Sequence, residues 1–178
     1  MDNIFVIRQV SEKLVAKGQE AHFVFVDLEK AYDSVPLSRL RPVMKELGIE
    51  DPLIDQVRRL YQGNQVEVED GKTVSSEFMV TKGLRQGCGM SPTLFKVYLE
   101  EVLRKWNASC SGMGVPLGSQ VVHSLLFADD QLIVARDRHD ALYMLRKLNE
   151  AFGEAGLKIN AQKTGYLVEM DGILFSWV

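Results

Sequence analysis

VVHSLLFADDQLIVA, residues 121–135, decides the fold. Two apolar, β-branched runs, 121–127 and 131–135, flank the tripeptide Ala128-Asp129-Asp130. That pattern reads as two buried strands joined by a tight acidic turn. On the N-terminal side, residues 91–108 begin with Ser91-Pro92, a helix start. They then place Leu94, Phe95, Tyr98, Val102 and Trp106 on one helical stripe. On the C-terminal side a second helix, 139–155, is led by Leu142, Leu145, Leu148 and Phe152. HFVFVD (22–27) is a further buried strand, and 165–169 and 173–178 read as closing strands. With 28–90 set aside, the order is strand, helix, strand, strand, helix, strand. This is the split βαβ (ferredoxin-like) plan, an α+β fold with an antiparallel sheet and its helices on one face.

Residues 2–17 are expected to form a leading helix, capped by Asp2, turned inward through Ile4, Ile7, Val10 and Leu14, and closed by Gly18. The excursion 28–90 carries two more helices. One starts at Pro36, with Asp33 or Ser34 as its cap, and the other covers 51–62. A hairpin of 65–69 and 73–80 follows around Asp70-Gly71, then a glycine-punctuated loop, 82–89. No repeat, low-complexity tract or linker interrupts the chain, so 1–178 is expected to be one domain with 28–90 inserted after its first strand.

Composition narrows the class. With 46% hydrophobic and 25% charged residues, the chain is that of an ordered globular protein. No apolar run approaches the roughly 20 residues of a membrane-spanning helix, and the first residues are not expected to act as a signal peptide. Two cysteines, Cys88 and Cys110, do not make a disulfide framework. An intracellular location, nuclear or cytoplasmic and not secreted, is the expectation. Nothing marks an oligomeric state. The net charge of −3 sits awkwardly with a nucleic-acid partner, whose phosphates call for a basic surface.

Three carboxylates stand where hydrophobic logic does not put them. Asp27 ends an apolar strand, and Asp129 and Asp130 sit at a hairpin tip. In a split βαβ sheet the first strand neighbours the central hairpin, so these acids are expected on one sheet edge. Such crowding is costly unless a cation neutralises it. Oxygen-only ligands suit Mg²⁺, and a pair of ions suits phosphoryl transfer. Taken alone, an Asp-Asp turn is more often a solvated loop.

Four segments in order resemble the palm motifs of a reverse transcriptase of the non-LTR, LINE-like retrotransposon kind. They are FVFVDLEKAYDSV (23–35), GLRQGCGMSPTLF (83–95), FADD (127–130) and GLKINAQKTGYLV (156–168). DNIFVIRQVSEKL (2–14) resembles the helix such enzymes carry ahead of the palm. The resemblance implies Asp27, Asp129 and Asp130 as catalytic acids and metal ligands, with the Leu28 carbonyl completing one of two Mg²⁺ ions, for which Mn²⁺ can substitute. It assigns Tyr32 to the steric gate that excludes a 2′-hydroxyl. Arg85, Gln86 and Gly87 fall to nucleotide and template contacts, and Lys163 to the pyrophosphate leaving group. The partners implied are an RNA template, a DNA primer and a deoxynucleoside triphosphate, without a membrane.

The resemblance also implies departures. The basic fingers segment and the thumb are expected to be missing, so the chain reads as a fragment of a larger polymerase that needs both for activity. Two alternatives stay open. One is a non-catalytic retrotransposon-derived remnant acting as a binding domain. The other is an RNA-dependent RNA polymerase palm, against which Phe127-Ala128 and Tyr32 speak.

Overall fold

A computed structural model describes residues 3–127, 130–170 and 173–177. In chain order the elements are α1 (Asn3–Val15), β1 (Ala21–Val26), α2 (Ala31–Ser34), α3 (Leu37–Glu46) and α4 (Asp51–Tyr61). Four short strands follow, β2 (Gln65–Val66), β3 (Glu69–Asp70), β4 (Thr73–Val74) and β5 (Phe78–Met79). Then come α5 (Ser91–Ser109), β6 (Val115–Leu117), β7 (Gln120–Val122), β8 (Ser124–Phe127), β9 (Asp130–Ala135), α6 (Arg138–Glu154), β10 (Gly165–Met170) and β11 (Ile173–Trp177). They divide into two compact units, Met1–Ala31 with Val102–Val178, and Tyr32–Glu101.

The first unit is built on a five-stranded sheet in the order β11-β10-β1-β9-β8, every neighbour antiparallel. Removing the edge strand β11 leaves the strand order of a split βαβ fold, as the sequence predicts. Alternation sorts the side chains of β1 onto two faces. Ala21 and Phe23 join Leu132 and Val134 in a core with Val6, Val10 and Leu14 of α1. Val24, paired with Ile133, belongs to the opposite face, where α6 lies against β1 and β9. There the Trp106 indole N–H donates to the Met144 carbonyl at 2.9 Å, tying the end of α5 to α6.

Several expectations shift by a fraction of a helical turn. The buried stripe of α1 is Val6, Val10 and Leu14, whereas Ile4 is 75% exposed. That of α6 is Ala141, Met144, Leu148 and Phe152, while Leu142 is exposed and Leu145 half-buried. In both helices apolar residues occur on two adjoining stripes, and the helix turns inward the one that fits the sheet. The expected strand 121–127 is two strands, because β7 pairs back on β6 before β8 pairs with β9. Gly114 (φ 85°) begins that extra hairpin, so close that a Cβ would lie 2.6 Å from the Val122 carbonyl oxygen.

In the second unit, Pro36 occupies the N-cap of α3 with no side-chain cap, so Asp33 does not cap this helix. The Asp33 carboxylate instead accepts a hydrogen bond from the Gln86 amide. Ser91 is the first residue of α5, and its hydroxyl donates backward to the Arg85 carbonyl (2.6 Å). Asp2, the expected cap of the first helix, lies outside the described residues. The unit begins at Tyr32, not residue 28. Residues 27–29 stay with the sheet because the Asn160 N–H donates to the Asp27 carbonyl and the Glu29 N–H to the Lys158 carbonyl, both at 2.8 Å.

Candidate functional site

In the first unit, β1 runs out at Val26, which pairs with Gln131, and β9 opens with Asp130. One further step of that register sets Asp27 level with Asp130. Both belong to the alternation that also holds Phe25 and Leu132, so the carboxylates leave the sheet from the same face. They line a cavity of about 320 Å³ together with Asn3, Phe25, Phe127 and Lys163. Its floor is apolar, and Phe127 is 75% exposed. Asp27 is part-buried, and its Oδ2 lies 4.0 Å from Lys163 Nζ.

Local turns place these groups. Asn160 accepts at its carbonyl from the Lys163 and Thr164 N–H groups, while its side chain accepts from the Gln162 N–H at 3.2 Å. The result is an Asx turn that aims Lys163 back at the end of β1. The Asp27 N–H reaches the Thr164 hydroxyl at 3.4 Å. Leu28 pairs with Ile159 as an isolated antiparallel bridge, flanked by hydrogen bonds from the Asn160 N–H to the Asp27 carbonyl and from the Glu29 N–H to the Lys158 carbonyl. That pattern turns the Leu28 carbonyl away from Ile159, toward the β9 side of the strand. Asn3 of α1 donates to the Leu126 carbonyl at 2.9 Å, pinning the hairpin from below.

Asp27, Asp130, Leu28 and Lys163 are therefore brought to one end of the sheet, and Asp129 lies outside the described residues. The donor set is carboxylate and carbonyl oxygen, which fits a hard divalent cation and not zinc. Asn3 and Asn160 escaped the sequence reading. Asn160 carries a signal, since asparagine ahead of a polar turn is a common Asx-turn residue, but nothing in the sequence marks Asn3.

The second unit gathers the remaining candidates. Tyr32 is half-buried and stacks on Phe95, with ring centroids 4.7 Å apart and planes inclined by 20°. Its carbonyl accepts from the Leu84 N–H at 2.8 Å. Arg85 is exposed, hydrogen-bonds the Asn64 side chain and lies over the Tyr61 ring at 5.8 Å. Gln86 donates to Asp33 at 3.0 Å, and Gly87 takes a φ of 79°, a left-handed conformation open to glycine.

Asp137, His139 and Asp140 form another acidic group near enough to share an ion. Helix chemistry accounts for two of them. Asp137 caps α6 through the Asp140 N–H (2.8 Å), and Asp140 is held by Arg136 at 2.8 Å.

An antiparallel split βαβ sheet with level aspartates at its reversal is the architecture of a polymerase palm. The chain belongs to the reverse transcriptase (RNA-dependent DNA polymerase) family, whose model matches residues 2–175. It is 26% identical over 162 residues to the Pol polyprotein of the type-2 retrotransposable element R2DM of Drosophila melanogaster, covering 91% of this chain and 15% of that one. It is 25% identical over 161 residues to the R2 Pol polyprotein of Popillia japonica, covering 90% and 26%. To the transposon TX1 149 kDa protein of Xenopus laevis it is 25% identical over 169 residues, covering 94% and 13%. These relatives bear out the resemblance to non-LTR elements, and the chain spans at most about a quarter of their lengths. In fold it is similar to a telomerase from Candida tropicalis solved with a fragment of telomeric RNA. The TM-score is 0.70 at 14% identity, covering 98% of this chain and 29% of that one. Among the described residues no helix is long and apolar enough to cross a membrane.

Proposed function

We propose that this chain is the palm of an RNA-directed DNA polymerase, a single catalytic domain in which a primer 3′-hydroxyl attacks a deoxynucleoside triphosphate. The observation that carries the reading is the pair Asp27 and Asp130, level on one sheet face beside Lys163 in a single cavity. Asp27, Asp129, Asp130 and the Leu28 carbonyl would hold two Mg²⁺ ions, or Mn²⁺ in their place. Such ions activate the attacking hydroxyl and stabilise the departing oxygen. Lys163 neutralises charge on the leaving pyrophosphate, and in its absence leans on Asp27. Tyr32 selects the deoxy sugar, and Arg85, Gln86 and Gly87 meet the nucleotide and template. Membership of the reverse transcriptase family leaves the RNA-dependent RNA polymerase alternative without support.

The test is Mn²⁺ binding to the intact chain, read by water-proton relaxation. Wild type should bind in the millimolar range or tighter, and Asp27→Asn at least tenfold more weakly. Equal binding by the two chains would move the acids back to an ordinary solvated turn and leave the reading of a non-catalytic remnant standing.

A further inference from the structure

From the second unit we infer that Asp33 is a positioning residue that locks the Gln86 side-chain amide in one orientation, so that Gln86 offers its oxygen, a hydrogen-bond acceptor, to the bound nucleotide. The inference rests on the polymerase reading for the identity of the ligand, but the lock stands on geometry alone.

Gln86 Nε2 lies 3.0 Å from Asp33 Oδ1, across 53 residues of sequence. An ionised carboxylate only accepts hydrogen bonds, so the amide must turn its nitrogen toward Asp33. The opposite orientation would set the amide oxygen against a carboxylate oxygen. Both side chains are exposed, so water competes for the contact, and the charge-assisted bond favours one orientation by about a few-fold. A free glutamine populates both amide orientations and can serve a donor or an acceptor equally. Gln86 tied to Asp33 commits one N–H to the carboxylate and turns Oε1 to the opposite side, where it is presented to a ligand beside the second N–H.

The backbone holds both partners at this distance. The Gly83 N–H donates to the Val35 carbonyl and the Leu84 N–H to the Tyr32 carbonyl, each at 2.8 Å, so the loop is laced along α2. Gly83 makes that approach possible. Its φ is 101°, and a Cβ there would stand 3.3 Å from the Asp33 carbonyl oxygen. Ser91 closes the other side of the loop through the Arg85 carbonyl. The backbones of Asp33 and of the loop are thus held close, within reach of the hydrogen bond between the two side chains. Since α3 takes no cap from it, this contact is the role the structure assigns to Asp33.

An acceptor selects a donor. Of the groups on a deoxynucleoside triphosphate, the 3′-hydroxyl and the exocyclic amino groups donate, whereas the phosphate oxygens do not. The Gln86 oxygen is accordingly matched to a sugar or base donor and not to the phosphate oxygens.

The experiment uses the intact 178-residue chain with ¹⁵N-labelled glutamine. In wild type, the two Gln86 side-chain amide protons should be well separated, one moved downfield. In Asp33→Ala they should revert to the positions of an exposed glutamine. Asp33→Asn, which can donate as well as accept, should give an intermediate or doubled signal. Titration with nucleotides and Mg²⁺ then identifies the donor. Loss of binding from dGTP to its 2′,3′-dideoxy analogue marks the 3′-hydroxyl, and loss from dGTP to dITP marks the base amino group. The discriminating ratio should be at least fivefold in wild type and fall toward unity in Asp33→Ala. Gln86 signals that ignore Asp33→Ala would overturn the lock, and so would a ratio that survives it unchanged. If the wild-type chain bound no nucleotide at all, the role of Gln86 as a reader would fall, while the resonances would still decide the lock and Mn²⁺ binding would still decide the polymerase reading.

Discussion

Asp27 looks unremarkable in isolation, an acid at the end of a strand, yet its meaning comes from what stands level with it. In a polymerase assembled around this palm, Asp27→Asn or Asp129→Asn should reduce primer extension by a thousandfold or so, since charge stabilisation at the reacting phosphate is worth about 3–4 kcal/mol per lost contact. Extension that survives at ordinary Mg²⁺ concentration would count against the site. The Tyr32 ring stacks on Phe95, so the proposed gate and the packing of the unit share one side chain. Tyr32→Ala should admit ribonucleotides in competition with deoxynucleotides, while Tyr32→Phe, which keeps the stacked ring, should not. An unchanged preference in the alanine variant would return Tyr32 to a purely packing role. The cysteines separate cleanly: Cys110 is fully buried and burial pushes its thiol up, whereas Cys88 is partly exposed. A thiolate-selective alkylating agent at pH 8 should therefore modify Cys88 in minutes and Cys110 only on unfolding, as mass spectrometry of the labelled peptides would report.

The helices and hairpins show where packing overrides pattern. On α6 the sequence favours a leucine stripe, but Met144 is fully buried and Leu142 is exposed by 56%. Met144→Ala should cost about 2–5 kcal/mol in urea unfolding, and Leu142→Lys close to nothing. The reverse ranking would mean that α6 is rotated from the orientation described. Gly114 offers a sharper case, since its left-handed backbone and the 2.6 Å approach to the Val122 carbonyl both exclude a side chain. Gly114→Ala should destabilise the chain by about 2 kcal/mol or more, whereas Gly112→Ala, with open space around it, should pay only for its positive φ. The β6–β7 hairpin that Gly114 begins was invisible in sequence, because Val121 and Val122 continue the apolar run of β8 without a break.

For the whole molecule, charge and extent matter more than any contact. A net charge of −3 offers no general attraction to phosphate, and the chain covers 15% of its Drosophila relative. Primer extension on an RNA template by the chain alone should be at or near the level of an Asp129→Asn control, because holding primer, template and triphosphate in line supplies much of the rate. Robust extension that the control loses would show that these 178 residues suffice.

The strand order β10-β1-β9-β8 and the placing of Asp27 level with Asp130 were legible in sequence. Both follow from alternation of apolar residues and from the few topologies that bury them. So was the family, since ordered motifs survive when overall identity falls to about a quarter. Helix rotation was not legible, because Leu142 and Met144 are equally apolar and only the shape of the opposing sheet chooses between them. Nor was the duty of Asp33, which by local rules belongs at a helix cap. Its partner Gln86 is distant in sequence, and a hydrogen bond between remote side chains exists only once the backbone has folded to bring them within 3.0 Å.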